Sequence, residues 1–279
     1  MNSCKSGNNN KLETKKKTNP VDLGQISALP DSFRFPADNP PNKTKIELGR
    51  LLFYDPILSG SKDVSCATCH HPEFMYAESQ EISIGVNGKG LGEHRKFNSP
   101  NDIPFTKRNA QSLLNTAFNG IDVDGNYTPE KAPMFWDLRA SGLEAQAQLP
   151  IKTFEEMRGH LFEEAQISDV VVKRLTAITA YRNLFKKAFP GSAAITMDQI
   201  SKLLATFQRS LIANNSRFDQ YKRGNKSALS NREIEGMNLF ISTGCARCHN
   251  GPMLSDFKPH VMGVADNEKL AVQDQGILP

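Results

Sequence analysis

Two five-residue strings constrain this chain more than anything else in it: Cys66-Ala67-Thr68-Cys69-His70 and Cys245-Ala246-Arg247-Cys248-His249. Both read C-x-x-C-H. Two thiols three residues apart on a helical turn project to one side, so each can bond one vinyl group of a single haem. The imidazole at the next position then lies under the ring as an axial iron ligand. Covalent attachment also spares the chain from building a large apolar pocket to retain the group. Other uses of paired cysteines fit worse. Zinc sites made of two C-x-x-C pairs hold them roughly 15–20 residues apart, whereas residues 70–244 intervene here. A thioredoxin-like redox pair needs a βαβ context, and alternating strand patterns are scarce. The strings therefore imply two covalently bound haem c groups. Cys66, Cys69 and His70 hold the first, and Cys245, Cys248 and His249 the second. Such attachment belongs to an oxidising, exported compartment, so the expected location is the periplasm or outer envelope.

A fifth cysteine, Cys4, stands apart in a leader of Asn, Lys, Ser and Thr. Residues 1–20 read as a disordered tether by composition. A cysteine followed by such a tether is also how a mature lipoprotein begins, which makes Cys4 a candidate lipid anchor if the true start lies upstream. The leader holds Lys5, Lys11, Lys15, Lys16 and Lys17 against Glu13, a surplus of +4 that equals the net charge of the whole chain. The remainder sums to zero, which argues against a nucleic-acid partner, since such a binder carries its basic surplus on the folded body. No apolar run approaches the roughly 18 residues needed to span a bilayer.

The rest reads as mainly α, with helices joined by long loops. Residues 44–54 carry apolar positions at helical spacing. Ser141 and Glu144 form a capping-box pattern that opens a short helix through Leu149, stopped by Pro150. Ser168 is placed to cap a helix with Val171, Val172, Leu175 and Ile178 on one face. Thr196 with Gln199, and Ser230 with Glu233, make two further capping boxes. The first of these opens the strongest amphipathic pattern, Ile200, Leu203, Leu204, Phe207 and Leu211. Residues 84–109 are rich in Gly, Asn and Pro with little periodicity, and loops that long are usually functional. Pro190-Gly191 is the natural break. The expected organisation is a leader at 1–20, a first haem domain at 21–190 and a second at 191–279.

Beyond the haem strings, the chain resembles the bacterial di-haem cytochrome c peroxidases and their MauG-type relatives from about residue 28 onward. LGRLLFYDPILS (48–59), SIGVNG (83–88), RNAQSLLNTAFN (108–119), MFWDLRASGLEAQAQLPI (134–151) and EEM (155–157) resemble the family's first-domain motifs. SRFDQY (216–221) and EGMNLFISTGCARCHNGPMLSDF (235–257) resemble those of its second domain. The resemblance implies two cytochrome-c-like helical domains, with the peroxidatic haem on His70 and an electron-transfer haem on His249. It implies that Trp136 relays electrons between the haems, that Glu156 is the acid and base for peroxide, and that Gln146 lines the same pocket. It further implies that Asn109 helps bind a calcium ion between the domains. Without the resemblance, Trp136 reads as a core residue, Glu156 as a solvated helix face and Asn109 as a turn residue.

Two departures from the family pattern matter. Many members carry a histidine after the S-I-G segment that caps the first haem at rest; Val86 stands there, and valine cannot bind iron. His94 is the rival ligand. The chain also ends 30 residues past His249, before the region that usually supplies the second haem's sixth ligand. Met253, Met262 and His260 lie nearby without clearly matching it, which favours a truncated second domain. The leading expectation is a peroxidase that reduces hydrogen peroxide with electrons from a small cytochrome c or copper protein, with a homodimer as the expected assembly. The alternatives are a MauG-type enzyme oxidising a residue on a partner protein, and a non-enzymatic electron-transfer cytochrome.

Overall fold

In the computed structural model, residues 25–270, 272–274 and 276 are described. The leader and Cys4 lie outside the described residues. The architecture is mainly helical. The first helix, α1 (Lys43–Tyr54), is capped by Asn42, whose side chain accepts from the Lys45 amide at 2.8 Å. A short helix, α2 (Cys66–Cys69), follows and carries the first haem string. The expected long loop is present, interrupted by the two-residue strands β1 (Gly88–Lys89) and β2 (Lys96–Phe97), which pair antiparallel, and by a 3-10 turn at Gly92–His94 between them. A second small hairpin joins β3 (Pro133–Met134) to β4 (Ala140–Ser141).

The next helices depart from the sequence reading. Helix α3 (Leu143–Gln146) starts after Gly142, and Ser141 lies in β4 rather than capping it. Glu144 has a stronger partner than a capping backbone: it receives the Arg209 guanidinium in a two-pronged ion pair and the Asn39 amide at 2.8 Å. Pro150 does not stop a helix but sits in the first turn of α4 (Leu149–Lys152), where its missing N–H has no helical acceptor to lose. Helix α5 (Glu164–Ala177) starts before Ser168. Glu163 is its N-cap residue and its backbone N–H donates to the Gln166 side-chain oxygen at 3.2 Å. Ser168 is thus interior, Val171 and Leu175 are buried as expected, and Ile178 ends the helix 40% exposed.

Helices α6 (Thr179–Ala188) and α7 (Met197–Arg209) complete the main core. The Thr196 and Gln199 capping box forms as read, with backbone-to-side-chain bonds of 3.2 and 3.3 Å. Helix α7 lies against α1. Ile200, Leu203, Leu204 and Phe207 pack into the same cluster as Leu48, Leu52 and Phe53 of α1. Pro190-Gly191 is a turn within one core, because the apolar face of α7 finds its complement on α1. The two helices touch at Gly49, where an added Cβ would lie 2.1 Å from the Leu203 carbonyl oxygen. Helix α8 (Arg217–Lys222) leads to α9 (Asn231–Ser242), opened by the expected Ser230 and Glu233 box. No residue of α9 is buried. Among the described residues no helix is long and apolar enough to cross a membrane.

Candidate functional site

The first haem string lies at one wall of a cavity of about 1300 Å³. Cys66, Cys69 and His70 line it together with Trp136, Gln146 and Glu156. Residues between 66 and 90 positions from the first haem string thus meet it at one site. Asn109 lines the same cavity, and so do Met253, Phe257 and Asp274, from beyond the second haem string.

The His70 ring is oriented by the main chain. Its Nδ1 lies 3.0 Å from the Tyr76 carbonyl oxygen. Donation there fixes the tautomer and leaves Nε2 with its lone pair available for iron. The chain turns back to make this bond through two consecutive left-handed residues, Met75 (φ 55°) and Tyr76 (φ 56°). The second string repeats the device. His249 Nδ1 lies 3.2 Å from the Leu254 carbonyl, and each histidine amide donates to the carbonyl of the first cysteine of its string at 3.0 Å. Burial pushes the Cys66 thiol up to about 12, and pushes Cys69 up also. Both remain neutral thiols at physiological pH, unlike the depressed pair of a redox dithiol. The cavity beside them has apolar walls, including Phe53, Leu113 and Leu143. These features together fit a covalently held haem with His70 on its iron.

Glu156 sits on a single π-helical turn, Phe154–Arg158. Such turns are rare and recur at functional sites. Two glycines make room for it. A Cβ on Gly85 would lie 2.2 Å from the Glu155 carbonyl oxygen and 2.3 Å from that of Glu156, and one on Gly60 would lie 1.9 Å from the Arg158 carbonyl oxygen. The Gly60 amide donates to the Met157 carbonyl at 2.8 Å. The S-I-G segment therefore presses directly on the backbone that carries Glu156. Burial first, and the neighbouring Glu155 carboxylate second, push the Glu156 carboxyl up to about 7, against a smaller opposing pull from Arg139.

Trp136 occupies the tip of the β3–β4 hairpin at the cavity mouth and is 57% exposed, not the core residue its type alone suggests. Its indole N–H donates to the Asn109 carbonyl at 3.1 Å. The Asn109 side-chain amide donates to the Gln80 carbonyl. Next to Trp136, Asp137 pairs with Arg108 and Arg139, and Arg108 reaches on to Asp274 at 2.6 Å. Nothing in the sequence marks Arg108 and Asp274, which lie 166 residues apart, as partners.

Neither Val86, at the position of the family's capping histidine, nor His94, the rival ligand, lines the cavity. Val86 is 2% exposed and belongs to the main core. The His94 side chain is 86% exposed beside Glu93. At the second string, Met253 packs against Leu29, Phe118 and Ile121, and Met262 is 77% exposed. His260 lies 3.9 Å from the Cys248 sulfur and holds Asp256 at 2.9 Å.

The sequence pattern of the family described as di-haem cytochrome c peroxidase matches residues 43–227. Cytochrome c551 peroxidase of Nitrosomonas europaea is 34% identical over 228 residues, which is 82% of this chain and 58% of that protein. Methylamine utilization protein MauG of Methylorubrum extorquens is 33% identical over 247 residues, 87% of this chain and 60% of that one. The chain thus spans about three-fifths of the length of these relatives. A solved MauG-like protein associated with microbial copper homeostasis superposes with a TM-score of 0.65 at 27% identity, over 86% of this chain and 62% of that one. With both attachment strings in place and the pattern of one family running from α1 through α8, the chain belongs to the di-haem cytochrome c peroxidases, a membership that implies haem c as its cofactor.

Proposed function

We propose that this chain reduces hydrogen peroxide to two waters with electrons from a small redox protein. The observation that carries the reading is Glu156: a carboxyl in the cavity of the first haem string whose pKa is pushed up to about 7. Cys66, Cys69 and His70 would hold one haem c, and Cys245, Cys248 and His249 the other. A bound haem iron supplies the redox chemistry that peroxide reduction requires. Glu156 handles the protons. Near neutral pH it is close to half ionised, so it accepts a proton from one peroxide oxygen and returns it to the oxygen that departs as water. Gln146, in the same cavity wall, offers an amide to orient peroxide. Trp136, held by the Asn109 carbonyl, would relay electrons to the site. Asn109 retains its side-chain oxygen for a calcium ion, since its amide nitrogen is the atom already engaged. An exported location, a lipid anchor at Cys4 and a homodimer belong to this proposal on the strength of the sequence.

Steady-state peroxide consumption driven by a reduced small cytochrome c or copper protein tests the reading. Sustained turnover supports it, and a haem-loaded protein that consumes no peroxide with any such donor overturns it. The exposure of the Trp136 indole favours one second reading, MauG-type oxidation of a residue on a partner protein. That enzyme would react with peroxide yet turn over poorly with a soluble donor.

A further inference from the structure

The π-helical turn that carries Glu156 is closed by the Arg158 amide on the Thr153 carbonyl at 3.0 Å and the Gly159 amide on the Phe154 carbonyl at 2.9 Å. A single turn has little stability of its own, so its place depends on what it rests against. It rests on the chain at Gly60 and at Gly85. Neither glycine belongs to a helix or strand, yet each is held by a guanidinium. Arg95 donates from Nε to the Ile84 carbonyl at 2.6 Å, from Nη2 to the Gly85 carbonyl at 2.6 Å and from Nη1 to the Gly90 carbonyl at 3.1 Å. Arg174, on α5, donates from Nη1 to the carbonyls of Ile57 and Ser59 at 3.1 and 2.5 Å, and from Nη2 to that of Gly60 at 2.7 Å. Arg95 is 6% exposed and Arg174 is half-buried. The Ile84 carbonyl also lies 4.0 Å from the Cys69 sulfur, so Arg95 ties this bracing to the point where the first haem is bonded. An apolar side chain would fill either space without the cost of taking a cation out of water. It would not hold three carbonyls of an irregular segment in register.

Resting on the peroxidase reading, we propose that Arg95 and Arg174 are positioning residues for Glu156. Arg95 sets the Gly85 backbone against the Glu155 and Glu156 carbonyls, and Arg174 sets the Gly60 backbone against those of Met157 and Arg158. The turn is braced along its length, and its carboxyl keeps one place relative to Cys66 and Cys69. Neither arginine lines the haem cavity, so each acts through backbone alone. A carboxyl that moves protons must stand within hydrogen-bond reach of the oxygen it serves. Misplacement by about 1 Å can cost roughly a hundredfold in rate.

The test is a double-variant cycle on haem-loaded protein, read as the rate constant at which peroxide alters the Soret band. Arg95→Met and Arg174→Met keep an extended side chain without the hydrogen bonds, and Arg95→Lys and Arg174→Lys keep the charge without the planar fork. Each should react at least tenfold more slowly than the wild type with both haems attached. In a Glu156→Gln background the same changes should slow the reaction less than twofold further, because no carboxyl is left to position. Amide hydrogen exchange across 154–159 should rise at least tenfold, while that of α1 and α7 stays as it was. If the methionine variants do not retain haem, the lysine variants carry the same comparison. Wild-type rates in the arginine variants, or an equal loss with and without the Glu156 carboxyl, overturn the positioning role and leave the peroxidase reading standing. A wild-type haem spectrum that peroxide does not alter overturns both.

Discussion

Burial does most of the work in pushing the Glu156 carboxyl up to about 7, and the Glu155 carboxylate beside it adds to the effect. A carboxyl at that value exchanges protons in both directions at neutral pH, which a carboxyl near its ordinary value of 4.5 does not. Glu156→Gln should therefore cut peroxide turnover by roughly 10²–10⁴-fold with both haems attached; full activity with an unchanged Soret band would remove Glu156 from the reaction. The same shift has a stability consequence. The folded state binds the Glu156 proton more tightly than the unfolded chain does. Its contribution is thus complete below about 4.5 and is lost as pH rises through about 7. Glu156→Gln should abolish that component of the fall in Tm between the two values, and identical Tm profiles for the two proteins would contradict the shift. A third expectation concerns the first iron at rest. Val86 is buried in the core and the His94 side chain is 86% exposed, so neither approaches the cavity. A high-spin ferric signal should survive His94→Ala, and a purely low-spin resting spectrum would count against an open site. The two C-x-x-C-H strings stand out in the sequence because thioether chemistry dictates such spacing. Glu156 was legible only through family likeness, since its run of charged neighbours reads like a solvated helix face. What distinguishes it is tertiary: a π-helical turn folded inward against the segments at Gly85 and Gly60, 71 and 96 residues before Glu156 in sequence.

Those segments show what helix periodicity captures and what it leaves out. The capping boxes at Thr196 and Ser230 formed as read, because a cap depends only on residues three apart. The box at Ser141 did not, because Glu144 is taken by Arg209, whose guanidinium is almost fully buried and needs a carboxylate more than a backbone amide does. Ser168 misled for a related reason: Glu163 and Gln166 already make the reciprocal cap five residues earlier. The π-helical turn has no periodic signature at all. Its sequence trace is the pair of glycines that admit it, and the closeness of Gly85 to Glu155 and Glu156 explains why S-I-G precedes the acidic motif. Gly85→Ala should force the two backbones apart. Overpacking of this kind costs roughly 1–3 kcal/mol, or several degrees in Tm. Because the displaced backbone carries Glu156, peroxide turnover should fall more steeply than stability alone accounts for, with haem content unchanged. Turnover that falls only in step with the folded fraction would show the glycine to be purely structural.

At the scale of the whole molecule, the largest apolar cluster runs across the Pro190-Gly191 turn. Pro190-Gly191 looked like a boundary because proline and glycine interrupt helices, yet interruption of a helix is not interruption of a core. Helices α1, α5, α6 and α7 bury one another on both sides of that turn. The contrast lies further on. Helix α9 buries nothing, Leu239 is 61% exposed, and the Phe240 ring stands 6.1 Å from that of His249. An amphipathic helix with no packed face draws little stability from the protein around it. A haem bonded to Cys245 and Cys248 would offer Phe240 and its neighbours the apolar surface they lack. Replacing both cysteines with serine should then remove one haem and raise amide hydrogen exchange across 231–242. Exchange across 43–54 and 197–209 should stay as slow as before, since those helices complete each other's core. Peroxide should still shift the Soret band of the remaining haem. If α1 and α7 lose protection together with α9, the two haem strings sit in one cooperative unit, and the first core depends on the second haem for its stability.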